Sequence, residues 1–171
     1  MKRLTASFFH RDVLEVAPQL LGKIIVRKFD SGESKRYLIT ETEAYRGEED
    51  LACHASKGRT SRTEIMYHQG GHVYVYLIYG MYWLLNFTTN PNNFPAAVLI
   101  RSIENFSGPG RVSRELQLNQ TFYGENLTDS NRIWVEDDGF ILPVSVSKRI
   151  GVNYSGVWAN LLWRFTIGEN K

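Results

Sequence analysis

The sequence predicts an α+β fold in one compact domain over residues 1–171, with a mostly antiparallel sheet and a few short helices. Three observations predict it. Runs rich in β-branched and aromatic residues, such as HVYVYLIYG and AAVLIRSIE, recur along the chain between turn signals. Only two stretches carry a recognisable helix start. No repeat, low-complexity tract or Pro/Gly/Ser linker divides the 171 residues, of which 43% are hydrophobic, enough for one real core.

The elements follow in order. DVLEVAPQLLG reads as a short helix: Asp12 is the N-cap, Glu15 stands three residues on, and Gly22 is the stop. Pro18 disturbs its middle. KIIVRKF and RYLITETEAY flank the turn-rich DSGESK and form a hairpin. LACHASKGRTSRTEIMYHQGG is polar and glycine-containing, a long loop with at most one helical turn, of the kind often used for function. HVYVYLIYG and MYWLLNFTT meet in a tight hairpin near Gly80, and AAVLIRSIE is a buried strand. GPGRVSRELQL starts with glycine and proline and continues as the second helix. ILPVSVSKRIGV and LLWRFTIG close the chain as strands.

The bulk composition limits the function classes. Cys53 is the single cysteine, so there is no internal disulfide and a reducing cytoplasm is expected. MKRLTASFFHRD lacks an apolar h-region, so no signal peptide is expected. The apolar run from Val73 to Phe87 is broken by Gly80 and Asn86 and is too short and polar to span a membrane. A net charge of +2 permits a polyanionic partner without demanding one. Nine Tyr, nine Phe and four Trp point to stacking as well as core filling.

Four constellations could carry chemistry. Side chains at i and i+2 of a strand share a face, so Glu41, Glu43 and Tyr45 point one way and Thr42 and Ala44 the other. A carboxylate beside an aromatic wall can serve as general base for water, but such a pair is ordinarily a solvent-facing stripe. His68 and His72 have a metal-ligand spacing, yet Gly70 and Gly71 between them oppose a helix, and no CxxC or HExxH is present. Scattered histidines are their ordinary reading. Lys57, Arg59 and Arg62 among serines and threonines suit phosphate contacts or a solvated loop equally, and SGPGR at a helix start is either an anion site or plain capping. Tyr79, immediately before Gly80, stands at an exposed hairpin tip, where a large aromatic buries little of itself and can act as a wedge between bases. Tyr74 and Tyr82 read as core or edge packing.

Taken together, ETEAYRGEEDLACHA, HVYVYLIYGMYWLLN, AVLIRSIE, GPGR and RIGV occur in an order that resembles the alkyladenine (3-methyladenine) DNA glycosylases, a mammalian-type family with bacterial members. The resemblance runs from the first helix to near the C-terminus. It implies a single-domain fold on a curved antiparallel sheet. The activity it implies is excision of a damaged purine from duplex DNA, without metal or organic cofactor, by a cytoplasmic, non-membrane monomer. Glu43 is similar to the family's general base. Arg101 resembles the arginine that holds the attacking water, and Ile150 matches a position whose main-chain carbonyl touches it. Tyr45 and His54 resemble the walls that sandwich the flipped base, and Tyr76 a third aromatic face. Asn86 resembles the asparagine that disfavours guanine, Tyr79 the intercalating tyrosine, and Met66 a DNA-contacting methionine. No lysine aligns with the base position to form a Schiff base, so a monofunctional enzyme is expected. DNA grip would come from local patches: Lys57, Arg59, Arg62, Arg111, Arg114, Lys148 and Arg149.

The chain departs from the family pattern after LIRSIE, where only Asn105 and Phe106 precede SGPGR. Glu41 is left without a catalytic role, either structural or tuning the charge of Glu43 and Arg101. Competing readings are a non-catalytic nucleic-acid-binding domain, a base deaminase, whose H-x-E and P-C-x-x-C pattern is absent, and a metal-dependent hydrolase on His54, His68 and His72.

Overall fold

The computed structural model describes residues 1–168. In chain order the elements are β1 (Lys2–Arg3), α1 (Ala6–Phe9), α2 (Val13–Gln19), β2 (Ile24–Lys28), β3 (Ser34–Arg46), β4 (Val73–Ile78), β5 (Tyr82–Thr88), β6 (Ala96–Ile103), β7 (Phe106–Ser107), α3 (Pro109–Glu115), β8 (Ile133–Asp137), β9 (Val144–Ser147) and β10 (Arg164–Ile167). Short 3₁₀ turns lie at His54–Lys57, Glu64–Tyr67, Gln120–Phe122 and Asn153–Asn160. The strands form one antiparallel sheet in the order β1-β8-β2-β3-β6-β5-β4, with β10 and β9 added beside β3. The α+β expectation is met. No helix of the described residues is long and apolar enough to cross a membrane.

β3 is the organising element, and its phase matters. Tyr37 and Ile39 point into the main apolar core, as does Ala44. Those positions differ in parity, which an unbroken strand cannot allow. The pairing of β3 with β6 is irregular on both sides of Glu41. Its partner strand changes phase at the same place: Ile103 is in the core, then Ile100, Val98 and Ala96. The interruption therefore turns Glu43 and Tyr45 out of the core and Thr42 into it, where its hydroxyl donates to the Ala17 carbonyl of α2 at 2.8 Å.

The main core is filled by α1, α2 and α3 through Phe9, Val13, Val16, Ala17, Val112 and Leu116, all fully buried. Each large apolar side chain of this kind contributes about 1.5–3 kcal/mol. α2 begins as expected, with the Asp12 carboxylate accepting from the Leu14 N–H at 2.9 Å. It ends at Gln19, one residue after Pro18 and short of Gly22. A second cluster gathers Cys53, Ala55, Ile65, Met66, Tyr67, Tyr74 and Ala97, with Tyr45 and Tyr76 packed against it. It sits under the long 47–72 segment, which holds two 3₁₀ turns rather than one helical turn.

The sequence reading passes over β8, a five-residue strand between polar stretches, and over the two-residue β1 and β7. It also extends the last strands too far, since only Val144–Ser147 and Arg164–Ile167 pair. The short connection after Glu104 is a hairpin: β7 folds back on β6, with Ile103 opposite Phe106 and Asn105 at φ 68°.

Candidate active site

β3, β4, β5, β6 and the segment after β9 enclose a cavity of about 330 Å³. Its lining includes Tyr45, His54, Met66, Tyr76, Tyr79, Asn86, Arg101 and Ile150. Eight expected site residues, spread over more than a hundred positions, are thus gathered at one place. Period-two alternation explains the sheet's share: Tyr45 on β3, Tyr76 on β4, Asn86 on β5 and Arg101 on β6 project to the face opposite the main core.

Glu43 stands behind this lining at 0% exposure. Its Oε1 accepts the Ile150 N–H at 2.8 Å, and its Oε2 accepts the Tyr45 hydroxyl at 2.7 Å. The Arg101 Nε lies 3.6 Å from Oε1. The expected role of Ile150 is a carbonyl contact to the attacking water; its amide, in addition, engages the Glu43 carboxylate. Each carboxylate oxygen keeps a lone pair for a further donor. Burial pushes the Glu43 pKa above the ordinary value, against the opposing pull of Arg101, the Ile150 amide and the Tyr45 hydroxyl.

The aromatic walls are tightly held. His54 and Tyr76 meet edge to face at 4.5 Å between centroids, and His54 Nδ1 shares a hydrogen bond with the Tyr74 hydroxyl at 2.8 Å. Burial, and then the nearby charges of Arg62 and Lys57, lower the His54 pKa to about 4. Its ring is therefore neutral at physiological pH, which suits a wall for an electron-poor partner. The Asn86 amide donates to the Tyr74 and Leu84 carbonyls at 3.2 and 3.3 Å, which fixes its orientation.

Tyr79 sits at the β4–β5 tip, 83% exposed. Tyr79 and Gly80 both have positive φ, at 52° and 65°, and the Met81 N–H donates to the Ile78 carbonyl. Ile78 pairs with Tyr82, so the tip is a three-residue loop closed by that bond. A left-handed backbone costs a tyrosine about 1–2 kcal/mol. An exposed aromatic held in a costly conformation suggests a use outside the fold.

Other expected residues lie elsewhere. Lys57 and Arg62 line an adjoining hollow of about 280 Å³ with His54 and Thr60. Arg59 is bound by both oxygens of Glu64. Arg111 is exposed on α3, beside Glu104 and Asn105 and away from the cavity lining. Met66 is 1% exposed, because it fills the second cluster, so it meets a nucleotide only inside the cavity. One expectation needs correction. Arg149 is no surface cation: it is buried, pairs with both oxygens of Asp50 at 2.6 and 2.9 Å, and stacks 4.8 Å from the Tyr45 ring. Glycine-flanked RIG on a basic chain looks like surface, and only the fold brings Asp50 to it.

His68 and His72 bond to Glu64 and the Gln69 carbonyl, outside the cavity. Among the described residues, no three His, Cys, Asp or Glu side chains gather to hold a metal ion. Sequence reasoning also missed Tyr154, 71% exposed at the cavity mouth, and the Arg164 bond to Glu41. Tyr154 lies in no patterned stretch, and Arg164, though inside the expected LLWRFTIG strand, meets a partner 123 residues away, so no local signal marks either role.

A flat aromatic slot backed by a buried carboxylate and an arginine can bind a planar, electron-poor ring and activate water against a bond to it. The family model described as methylpurine-DNA glycosylase matches residues 7–108 and 104–171, two segments that meet at the hairpin after Glu104. A protein of Psychrobacter cryohalolentis named as a 3-methyladenine DNA glycosylase is 41% identical, across 93% of this chain and 89% of its own. Similarly named proteins of Methanocella arvoryzae and Rickettsia felis are 40% and 41% identical, over 96% and 97% of this chain and 92% and 93% of theirs.

Proposed function

This chain belongs to the methylpurine-DNA glycosylase family, DNA repair enzymes that hydrolyse N-glycosyl bonds, and on that premise we propose how it acts. It flips an alkylated or deaminated purine nucleotide out of duplex DNA into the slot. Water activated by Glu43 then breaks the N-glycosidic bond and leaves an abasic site. The enzyme is monofunctional and does not cut the strand. It works in the cytoplasm as a single-domain monomer.

The observation that carries this reading is Glu43, fully buried behind the aromatic slot, hydrogen-bonded to Tyr45 and Ile150 and with the Arg101 Nε 3.6 Å away, three residues that line the slot. Alkylation at N3 or N7 puts positive charge on a purine. Aromatic faces attract such a ring by about 0.5–2 kcal/mol per good contact. The neutral His54 can stack against it without repulsion. The charged base is also a good leaving group, so little acid catalysis is needed. Glu43 takes the water proton and stabilises positive charge growing on the sugar. Tyr79 fills the gap left in the duplex. Unpairing costs a few kcal/mol and least at damaged sites, so selection begins before the slot. Asn86 narrows the slot against the exocyclic amino group of guanine. A binding domain without chemistry would have no use for the Glu43–Arg101 pair.

The test uses duplex oligonucleotides, each with one lesion: a 3-methyladenine analogue, 7-methylguanine, hypoxanthine or ethenoadenine. At least one base is released, and the strand breaks only after alkali. Strand breakage without alkali would refute the monofunctional assignment. Release of none would refute the reading itself.

A further inference from the structure

Two carboxylates compete for one arginine N–H. Arg101 Nε donates to Glu41 Oε1 at 3.2 Å, while Glu43 Oε1 waits at 3.6 Å, beyond hydrogen-bond range. Glu41 is itself clamped. Its Oε2 accepts the Ser102 hydroxyl at 2.7 Å, and its Oε1 also accepts Arg164 Nη1 at 3.1 Å. Arg164 is steadied by Ser147, whose Oγ accepts its Nε at 2.9 Å. Glu41 occupies the strand interruption, which is what lets it reach these partners beside β6 and β10. Of the Arg101 nitrogens, only Nε has a hydrogen-bond partner among the described residues, and the residue lines the cavity.

We propose that Glu41 is a positioning residue that holds the Arg101 guanidinium off Glu43 and leaves its terminal nitrogens to the cavity. The proposal rests on reading Glu43 as the base. Without Glu41, Arg101 would close the gap and form a tight pair with Glu43, which would then accept a proton poorly. Other groups face Glu43 too: the Tyr45 hydroxyl on its own strand, the Ile150 amide, Tyr76 on β4, Arg149 with its partner Asp50, and Arg164 opposite it on β10. None of these takes the Arg101 Nε. Glu41 and Arg164 also balance in charge, so their removal should act in opposite directions.

The sign follows. Losing the Glu41 charge and tightening the Arg101 contact both favour ionised Glu43. The acid limb of the excision rate then moves to lower pH. Losing Arg164 removes a positive charge and moves it to higher pH.

The experiment is single-turnover excision between pH 5 and 8, with enzyme in excess over a lesion duplex that the wild type cleaves. Glu41→Gln should lower the neutral-pH rate by about tenfold and shift the acid limb down by roughly one unit. Its affinity for a duplex holding a stable abasic-site analogue should stay within about twofold of wild type, an effect well under 1.4 kcal/mol. Glu41→Asp should recover part of the rate, and Arg164→Gln should shift the limb up. An unmoved limb in both Glu41→Gln and Arg164→Gln, or a shift of the same sign in both, overturns the proposal. If Glu41→Gln fails to fold, the Arg164→Gln limb decides alone: upward supports, unmoved or downward overturns. Glu43→Gln runs alongside. Activity surviving there would refute the base assignment instead.

Discussion

Glu43 and Tyr79 belong to one cavity and are held in opposite ways. Glu43 is 0% exposed, on a strand paired on both sides, with both oxygens hydrogen-bonded. Tyr79 is 83% exposed, on a turn whose backbone costs it energy. The strand interior keeps a group in one geometry, as bond-breaking chemistry requires. The tip keeps a group available, as meeting a duplex requires. The buried group has a cost of its own. Its folded pKa lies above the unfolded one, so between the two values the folded protein holds the extra proton. Stability therefore rises as pH falls through that window, and ionised Glu43 is a liability at neutral pH.

Breaking the interior should have the largest effect. Glu43→Gln should cut single-turnover excision by about 10³-fold or more. Binding to lesion duplex should persist, and the melting temperature should hold or rise, because a buried charge is gone. A falling melting temperature would argue that Glu43 is structural. Next comes the support behind it. Asp50→Ala leaves Arg149 buried and uncompensated and should cost about 3–5 kcal/mol by denaturant unfolding. A loss under 1 kcal/mol would show that the pair does not hold the Tyr45 wall.

The tip should matter less, and conditionally. Tyr79→Ser should weaken excision by roughly tenfold at well-paired lesions, in line with a stacking contact of about 1–3 kcal/mol. The loss should be smaller at mismatched lesions and absent on single strands. An equal loss on single strands would remove the wedge role. The smallest effect is expected at the rim. Arg62→Ala should lower the slope of log affinity against log salt by about one.

The interior and the tip also differ in how far sequence alone reveals them. Tyr79 before Gly80, between two apolar runs, is a local pattern that announces an exposed tip. ETEAY announces a shared face, and β3, β4, β5 and β6 are readable as β-branched and aromatic runs between turn signals. What holds Glu43 was not readable. Its Ile150 contact spans 107 residues, Arg149–Asp50 spans 99, and Arg164–Glu41 spans 123. Nor was the interruption at Glu41, on which the outward turn of Glu43 depends. Simple alternation predicts the right face for Glu43 and Tyr45, but it places Tyr37 and Ile39 with them, whereas both are in the core. Pairing irregularity is a property of two strands, and neither strand shows it by itself.

The central claim is that Glu43 acts as an ionised base inside a buried wall. Its most direct test is the single-turnover excision rate of the wild type between pH 8 and 5. An ordinary glutamate, at about 4.3, would leave that range flat. Burial raises the Glu43 pKa above that of an ordinary glutamate, so its proton uptake moves up toward this range and the rate should fall toward the acid end, by at most about tenfold per unit. A rate as flat down to pH 5 as an ordinary glutamate would give contradicts the account.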